Sequence, residues 1–461
     1  MTHQSLEQMI QQSGGNPAKM LRQLPGGAYS FPIPEEEYTN WRDEQESWRT
    51  SAVLFDQSFH MSDVYFKGPD VKRLFSETGV NSFRTFGKNK AKQFVAVNPQ
   101  GKVIADAILF AFADDEYSLV GGPAAANWVQ YHSEIGDYDV TVTRDEASMW
   151  NPGDRLLFRL QLQGPRALDV VAAAADAPLP EIGFFHIGEF TIAGTPIRAL
   201  NHTMIGTPGQ EHTGLEMTGP WTDHDKVYAA LVDAGEQFDM RIGGSRSYPT
   251  TSNESGWIAL PLPAVYSGDD MRAYREWLPA MGFEGQASLG GSFYSENVED
   301  YYVTPYDLGY GRVVKFDHDF IGREALEQIA EGPRRRKVWL EWDDADVARV
   351  VASSLTGGPE RAKFLGLPSA WFSIIHYDKV LSGTDIVGFG MDPVYTVNQR
   401  HVTSLAMIDE AKATDGTILT LTWGDEASIG HKLRVETHKE TTVRVRVRTT
   451  QISGAGPDSQ S

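Results

Sequence analysis

Residues 443–448 (VRVRVR) alternate strictly with period two, valine on one side and arginine on the other, which predicts a strand with one buried face. Residues 338–342, 404–408 and 418–423 also read as strands, so a β-rich C-terminal region is expected over 332–451. Upstream, strands and helices interleave. A strand at 64–67 runs into Gly68-Pro69-Asp70 and an amphipathic helix ending at Thr78. The same order recurs at 158–163 (FRLQLQ), Gly164-Pro165 and helix 166–175, and again at 215–218, Gly219-Pro220 and helix 223–236. Proline after the glycine suits the first turn of a helix, where its missing N–H is not needed. Gly-Pro is also common punctuation, but three such units predict repeated α+β modules. Further strands are expected at 95–98, 103–110, 117–120, 139–144, 190–192 and 197–200, and helices at 38–51, 125–135, 269–278 and 323–331. The basic run 334–337 follows the last helix and reads as a linker matched to that helix's C-terminal dipole.

One stretch breaks the pattern. Residues 243–257 (GGSRSYPTTSNESGW) contain no Ala, Val, Leu, Ile or Met. A long polar loop inside an enzyme often carries chemistry, and a solvated surface loop fits the residues equally well. Tyr248 precedes Pro249, which biases its backbone toward an extended conformation and presents its hydroxyl.

Composition narrows the function classes. With 461 residues, two or three domains are expected, and 41% hydrophobic content with 11% aromatics is that of a globular chain. No apolar window reaches membrane-spanning length and the N-terminus lacks a basic-then-apolar leader, so a cytoplasmic protein is expected. The absence of cysteine removes disulfides, thiolate nucleophiles, iron–sulfur ligation and cysteine zinc sites. A formal charge of −21 argues against nucleic acid as a partner. There is no GxGxxG after a strand, no Walker loop, no HExxH and no GxSxG, and the 12 histidines are scattered. No metal is expected. What remains is a site that works by positioning and proton transfer.

Several longer motifs then converge. The run 315–326 (KFDHDFIGREAL), Thr304-Pro305 in VTPYDLGYG, and 101–110 (GKVIADAILF) resemble the glycine-cleavage T-protein (aminomethyltransferase) superfamily over roughly residues 40–450. Residues 27–29 (GAY), 38–44 (YTNWRDE), 55–61 (FDQSFHM), 89–93 (NKAKQ), 273–279 (AYREWLP) and 290–302 (GGSFYSENVEDYY) resemble one branch of it, the tetrahydrofolate-dependent aryl O-demethylases that act on vanillate and syringate. The resemblance implies an α+β, aminomethyltransferase-like folate-binding fold over 1–331, built of two interleaved domains. A β-rich barrel over 332–451 and a disordered tail over 452–461 would follow.

It also implies a reaction, a cosubstrate and a small aromatic substrate, with no membrane partner. The methyl of a methoxylated, lignin-derived phenol would pass to N5 of tetrahydrofolate, leaving a catechol-type phenol. An aryl ether breaks only if its phenolate is stabilised. A tyrosine, with a pKa near about 10, is matched to protonate that phenolate. Tyr248 occupies the catalytic tyrosine position and is expected to be the general acid. His60 is expected to bond the ring hydroxyl and Gln57 to orient the ring. In a regular strand those two side chains would face opposite ways, so the strand is expected to end near Asp56. Phe185 and Trp257 would wall the ring, although such aromatics are also commonly core, and Trp257 would flank the folate as well. Glu216, in HTGLEMTGP, would anchor the pterin's amino and N–H groups, since a carboxylate accepts both. Tyr29 would close the pocket, and Asp106 matches the superfamily's catalytic aspartate.

Two departures bear on substrate. Gly122, in LVGGPA, stands where the branch has an arginine for the aryl carboxylate, and Phe31 stands where it has a second tyrosine. The substrate is therefore expected to lack that carboxylate, unless Arg246 supplies the missing grip. The alternatives are demethylation of a sulfonium or an N-methyl amine, or a non-catalytic folate-binding protein.

Overall fold

The computed structural model describes residues 4–27, 35–202, 214–426 and 432–452. Tyr29, Phe31 and the expected C-terminal tail from 453 onward lie outside them.

The architecture is α+β followed by a barrel. One sheet runs in the order Arg241–Ile242, Val53–Asp56, Leu157–Gln163, Gly214–Pro220, Thr195–Asn201, Ile187–Ile192. All its neighbours are antiparallel except Val53–Asp56 and Arg241–Ile242, which run side by side. A second, fully antiparallel sheet runs Lys90–Val97, Val103–Ala113, Glu116–Gly121, Ser62–Lys67, Thr141–Asp145. The helices Val71–Thr78, Pro123–Ile135, Ala167–Ala174 and His224–Gly235 follow strands as the alternating pattern required. In the first two Gly-Pro units, however, proline sits in a turn one residue ahead of the N-cap (Asp70, Arg166), and Pro220 closes its strand. The glycine carbonyl there takes the first helical N–H (Val71 to Gly68, 3.2 Å; Ala167 to Gly164, 3.0 Å).

Arg335–Trp342, Val402–Asp409, Asp385–Tyr395, Asp378–Ser382, Ile418–Trp423 and Thr441–Arg448 close a six-stranded barrel. Val443, Val445 and Val447 are buried in its core while the intervening arginines face outward, as the alternation predicted. The basic run is not a linker: it opens the first barrel strand, Arg335 lies over Phe389 and Lys337 reaches inward. No helix among the described residues is long and apolar enough to cross a membrane.

The polar stretch 243–257 is not an open loop. It forms a tight turn, in which the Tyr248 N–H donates to Gly244 C=O (3.1 Å), and then the helix Thr250–Ser255. Tyr248 therefore sits in a turn, not in the extended conformation that Pro249 suggested. Hydroxyls make an apolar-free helix possible here: Thr250, Thr251, Ser252 and Ser255 each donate to the carbonyl three residues back. The helix docks through polar groups. Asn253 pairs with Thr403 of the barrel, and Glu254 accepts from Trp48 Nε1 (2.9 Å). Gly256 ends the helix at φ +76°, where a Cβ would lie 2.4 Å from the Trp339 ring.

Candidate active site

Two parallel neighbours set up the site. Val53–Asp56 and Arg241–Ile242 end side by side, so the segments leaving them, 57–60 and 243–248, emerge at the same edge of the sheet. The first strand stops because Asp56 Oδ1 accepts the Ser58 N–H (3.0 Å), a local turn that replaces the ladder. The strand ends where expected, and Gln57 and His60 converge. Gln57 Nε2 donates to the Tyr248 hydroxyl (3.0 Å), and His60 Nε2 lies 3.2 Å from the same oxygen. Phe55 packs edge-on against the Tyr248 ring at 5.1 Å. From below, fully buried Glu44 ties the turn: its Oε2 accepts from Gly244 N–H (2.9 Å) and Ser247 Oγ (2.6 Å). Burial pushes the His60 imidazole down to about 3, so it is neutral at ordinary pH.

Tyr248 and His60 open onto a cavity of about 390 Å³ whose wall also includes Glu216, Asp106, Trp257, Phe185 and Gly122. Gln57 stands behind Tyr248. Arg246 is elsewhere: its guanidinium bonds Glu37 (3.2 Å) and the Leu367 carbonyl (2.7 Å) and is absent from the cavity wall, so it supplies no carboxylate grip.

Glu216 is not a bare carboxylate. Arg159 Nη1 donates to its Oε1, and His202 Nε2 lies 2.6 Å from its Oε2. Arg159 also holds Asp63 (2.7 Å), all within the buried interior. Burial opposes ionisation of Glu216, but the Arg159 cation and the His202 hydrogen bond outweigh it and hold its carboxyl down to about 2. An ionised carboxylate only accepts, so His202 carries its proton on Nε2. Of about four lone-pair sites on a carboxylate, the bonds made among the described residues take two.

Asp106 has the opposite character. Its Oδ2 accepts from Gln93 (2.6 Å), Trp257 (3.0 Å) and Tyr310 (3.1 Å), while buried Oδ1 has no hydrogen-bond partner among the described residues. Burial raises its pKa despite those donors and nearby Lys337.

Arg159, Asp63, His202, Tyr310 and Lys337 did not stand out in the sequence. In FRLQLQ the apolar face (Phe158, Leu160, Leu162) is core, but the face carrying Arg159, Gln161 and Gln163 is buried too. A polar strand face that fails to reach solvent is the signal, and periodicity alone does not reveal it.

Comparisons with known proteins place the chain in a family. The GCVT N-terminal domain matches residues 23–261. A syringate O-demethylase of a Sphingobium species is 39% identical over 438 residues, covering 95% of this chain and 94% of that protein. A sesamin methylene transferase of a Sinomonas species is 30% identical over 426 residues, covering 88% and 90%. In three dimensions, the glycine cleavage system aminomethyltransferase T of Bartonella henselae superposes with a TM-score of 0.61 at 16% identity, over 91% of each chain, a likeness of fold.

Proposed function

The chain belongs to the GCVT (aminomethyltransferase) family, and on that premise we propose that it is a tetrahydrofolate-dependent O-demethylase of methoxylated phenols. The observation that carries the reading is the Tyr248 hydroxyl, facing a mostly apolar cavity and bonded by Gln57 and His60.

Tyr248 is the general acid. The ether C–O bond breaks with its electron pair passing to the aryl oxygen, which takes the Tyr248 proton as charge develops. Gln57 Nε2, with His60 in its Nε2–H tautomer, places donors on the tyrosine oxygen. The same two donors stabilise the tyrosinate that forms. A neutral His60 suits this role, since a nearby imidazolium would instead compete as the acid. Phe185 and Trp257 flank the ring.

The wall's donor set fits a reduced pterin. Among the described residues Glu216 has lone pairs to spare and buried Asp106 Oδ1 has no partner; both match a ring edged by amino and N–H donors. Glu216 would hold that edge and Asp106, backed by Trp257, would face the same molecule. When bound, tetrahydrofolate supplies the nitrogen that accepts the methyl.

The test mixes the protein with tetrahydrofolate and a panel of methoxyphenols with and without carboxylates, and follows 5-methyltetrahydrofolate. Turnover of at least one is expected, with Tyr248→Phe cutting kcat by about 10²-fold or more while sparing folate affinity. No turnover across the panel rejects the reading. Turnover indifferent to Tyr248→Phe removes the acid role and favours a methyl donor, such as a sulfonium, whose leaving group needs no proton.

A further inference from the structure

The cavity extends beyond the site just described. Gly122 is the N-cap of Pro123–Ile135, and a Cβ built there meets only Leu260 Cδ2, at 3.9 Å. The same cavity is also walled by apolar Leu260, Phe283 and Ile374, and by Trp371 and Asp392 on one further side.

That side is built. Asp392 lies in a bulge of Asp385–Tyr395, where the register against Val402–Asp409 shifts between Met391 and Val394. Its φ is +42°, a strained conformation for a residue with a side chain. Ala370 N–H donates to Pro393 C=O (3.0 Å) and Ser369 bridges Val394, which sets Trp371 beside Asp392. Among the described residues the buried Trp371 Nε1–H has no partner, and no hydrogen bond reaches the Asp392 carboxyl. A buried donor and a cavity-facing acceptor therefore stand next to each other, both unsatisfied among the described residues, in a cavity with apolar walls.

Resting on the demethylase reading, we propose that this side is a subsite for the substrate's side chain, and that it takes the hydroxyl of an uncharged tail carried on the ring away from the methoxy group. The hydroxyl oxygen accepts from Trp371 Nε1 and its proton goes to Asp392. A hydroxyl is the smallest group that satisfies both. An ammonium would turn donors toward the Trp371 N–H. A carboxylate brings no proton for Asp392, and Asp378 nearby adds a second negative charge to that side. Burial pushes the Asp392 carboxyl up to about 7, with Asp378 adding to and His376 opposing the effect. A hydroxyl tail fits either protonation state, whereas a carboxylate tail would require Asp392 to be protonated.

The experiment uses three probes that differ at the tail: 2-methoxy-4-(3-hydroxypropyl)phenol, 2-methoxy-4-propylphenol and 3-(4-hydroxy-3-methoxyphenyl)propanoate. Their kcat/KM values with tetrahydrofolate are measured on the full chain, and their binding without tetrahydrofolate is followed by calorimetry. The hydroxypropyl probe is expected to exceed the propyl probe by about tenfold or more in both readouts. In Trp371→Phe, and in Asp392→Gly, which relieves the backbone strain, that ratio falls toward one. A merely structural role would lower both probes together and preserve the ratio. A wild-type ratio near one, or a propanoate preferred and bound more tightly as pH falls, overturns the subsite. If none of the probes is demethylated, the demethylase reading fails, and the calorimetric ratio still decides the subsite.

Discussion

Gly122→Arg tests how the cavity chooses its substrate. At φ −63° and ψ 147° the backbone accepts any L-residue, and the nearest atom to a new Cβ is 3.9 Å away. The substitution therefore carries no backbone strain, and its side chain enters the cavity near Leu260. Two effects follow. The arginine takes up space in the cavity, so a long uncharged tail loses room. It also brings a cation to a wall that already holds Glu216, Asp106 and Asp392 against one lysine, Lys337. At about 4 Å and an effective dielectric of about 20, a guanidinium–carboxylate pair is worth about 4 kcal/mol gross. After desolvation about 1.5–3 kcal/mol remains, or about ten- to a hundredfold in kcat/KM. The assay is the ratio of kcat/KM for vanillate to that for its 4-hydroxypropyl analogue, in wild type and variant, with the melting temperature as a check on folding. The expected ratio rises by that factor, chiefly through KM. A folded variant in which carboxylated substrates gain nothing, and long-tailed ones lose nothing, would refute the placement of Gly122 at the ring's remote side.

Three further outcomes follow from the same geometry. Arg159→Met leaves the buried carboxylates of Glu216 and Asp63 without their shared cation, so a loss of about 3–5 kcal/mol is expected by denaturant unfolding; an unchanged midpoint would show the network to be wrongly drawn. His60 has a folded pKa of about 3 against about 6.5 unfolded, so between those values the unfolded chain binds the extra proton and stability falls as pH drops. From pH 7 to 5 that share is about 2 kcal/mol, and equal pH slopes for wild type and His60→Gln would contradict it. Gly256→Ala places a Cβ 2.4 Å from the Trp339 ring at φ +76°, and a cost of about 1–3 kcal/mol in thermal unfolding is expected; an unaltered melt would mean that helix and barrel do not meet there.

Much of the fold was legible because burial and periodicity coincide in it. Thr441–Arg448 is the clearest case: one face is buried, one solvated, and the sequence alternates accordingly. The unit Leu157–Gln163 then Ala167–Ala174 was legible from its alternating sequence, although both faces of that strand are buried. Asp378–Ser382 and Asp385–Tyr395 were not, because glycines, aspartates and a bulge interrupt their alternation. Helix Thr250–Ser255 was read as loop because its stabilising groups are hydroxyls bonded within its own turns, which imitate the composition of a solvated segment. At the site, Tyr248, Gln57, His60 and Glu216 were found through motif resemblance. Arg159, His202 and Asp392 were not, since each owes its role to a partner distant in sequence.

The site's electrostatics argue for an uncharged substrate independently of the tail. Glu216 is held ionised by Arg159 and His202, so that corner presents acceptors and nothing that attracts an anion. Asp106 and Asp392 are both raised by burial, which means the cavity resists further negative charge. The lysine on that wall, Lys337, donates to the Gly256 carbonyl, and burial lowers its pKa. A phenolate leaving group released here would be poorly tolerated, so proton delivery has to accompany C–O cleavage and not follow it. On the proposed reading Tyr248 gives that proton: its ring is packed on Phe55, its turn is tied to Glu44, and its oxygen is bonded by Gln57. On that reading, the same burial that disfavours a carboxylate on the substrate also calls for a positioned tyrosine proton as the C–O bond breaks.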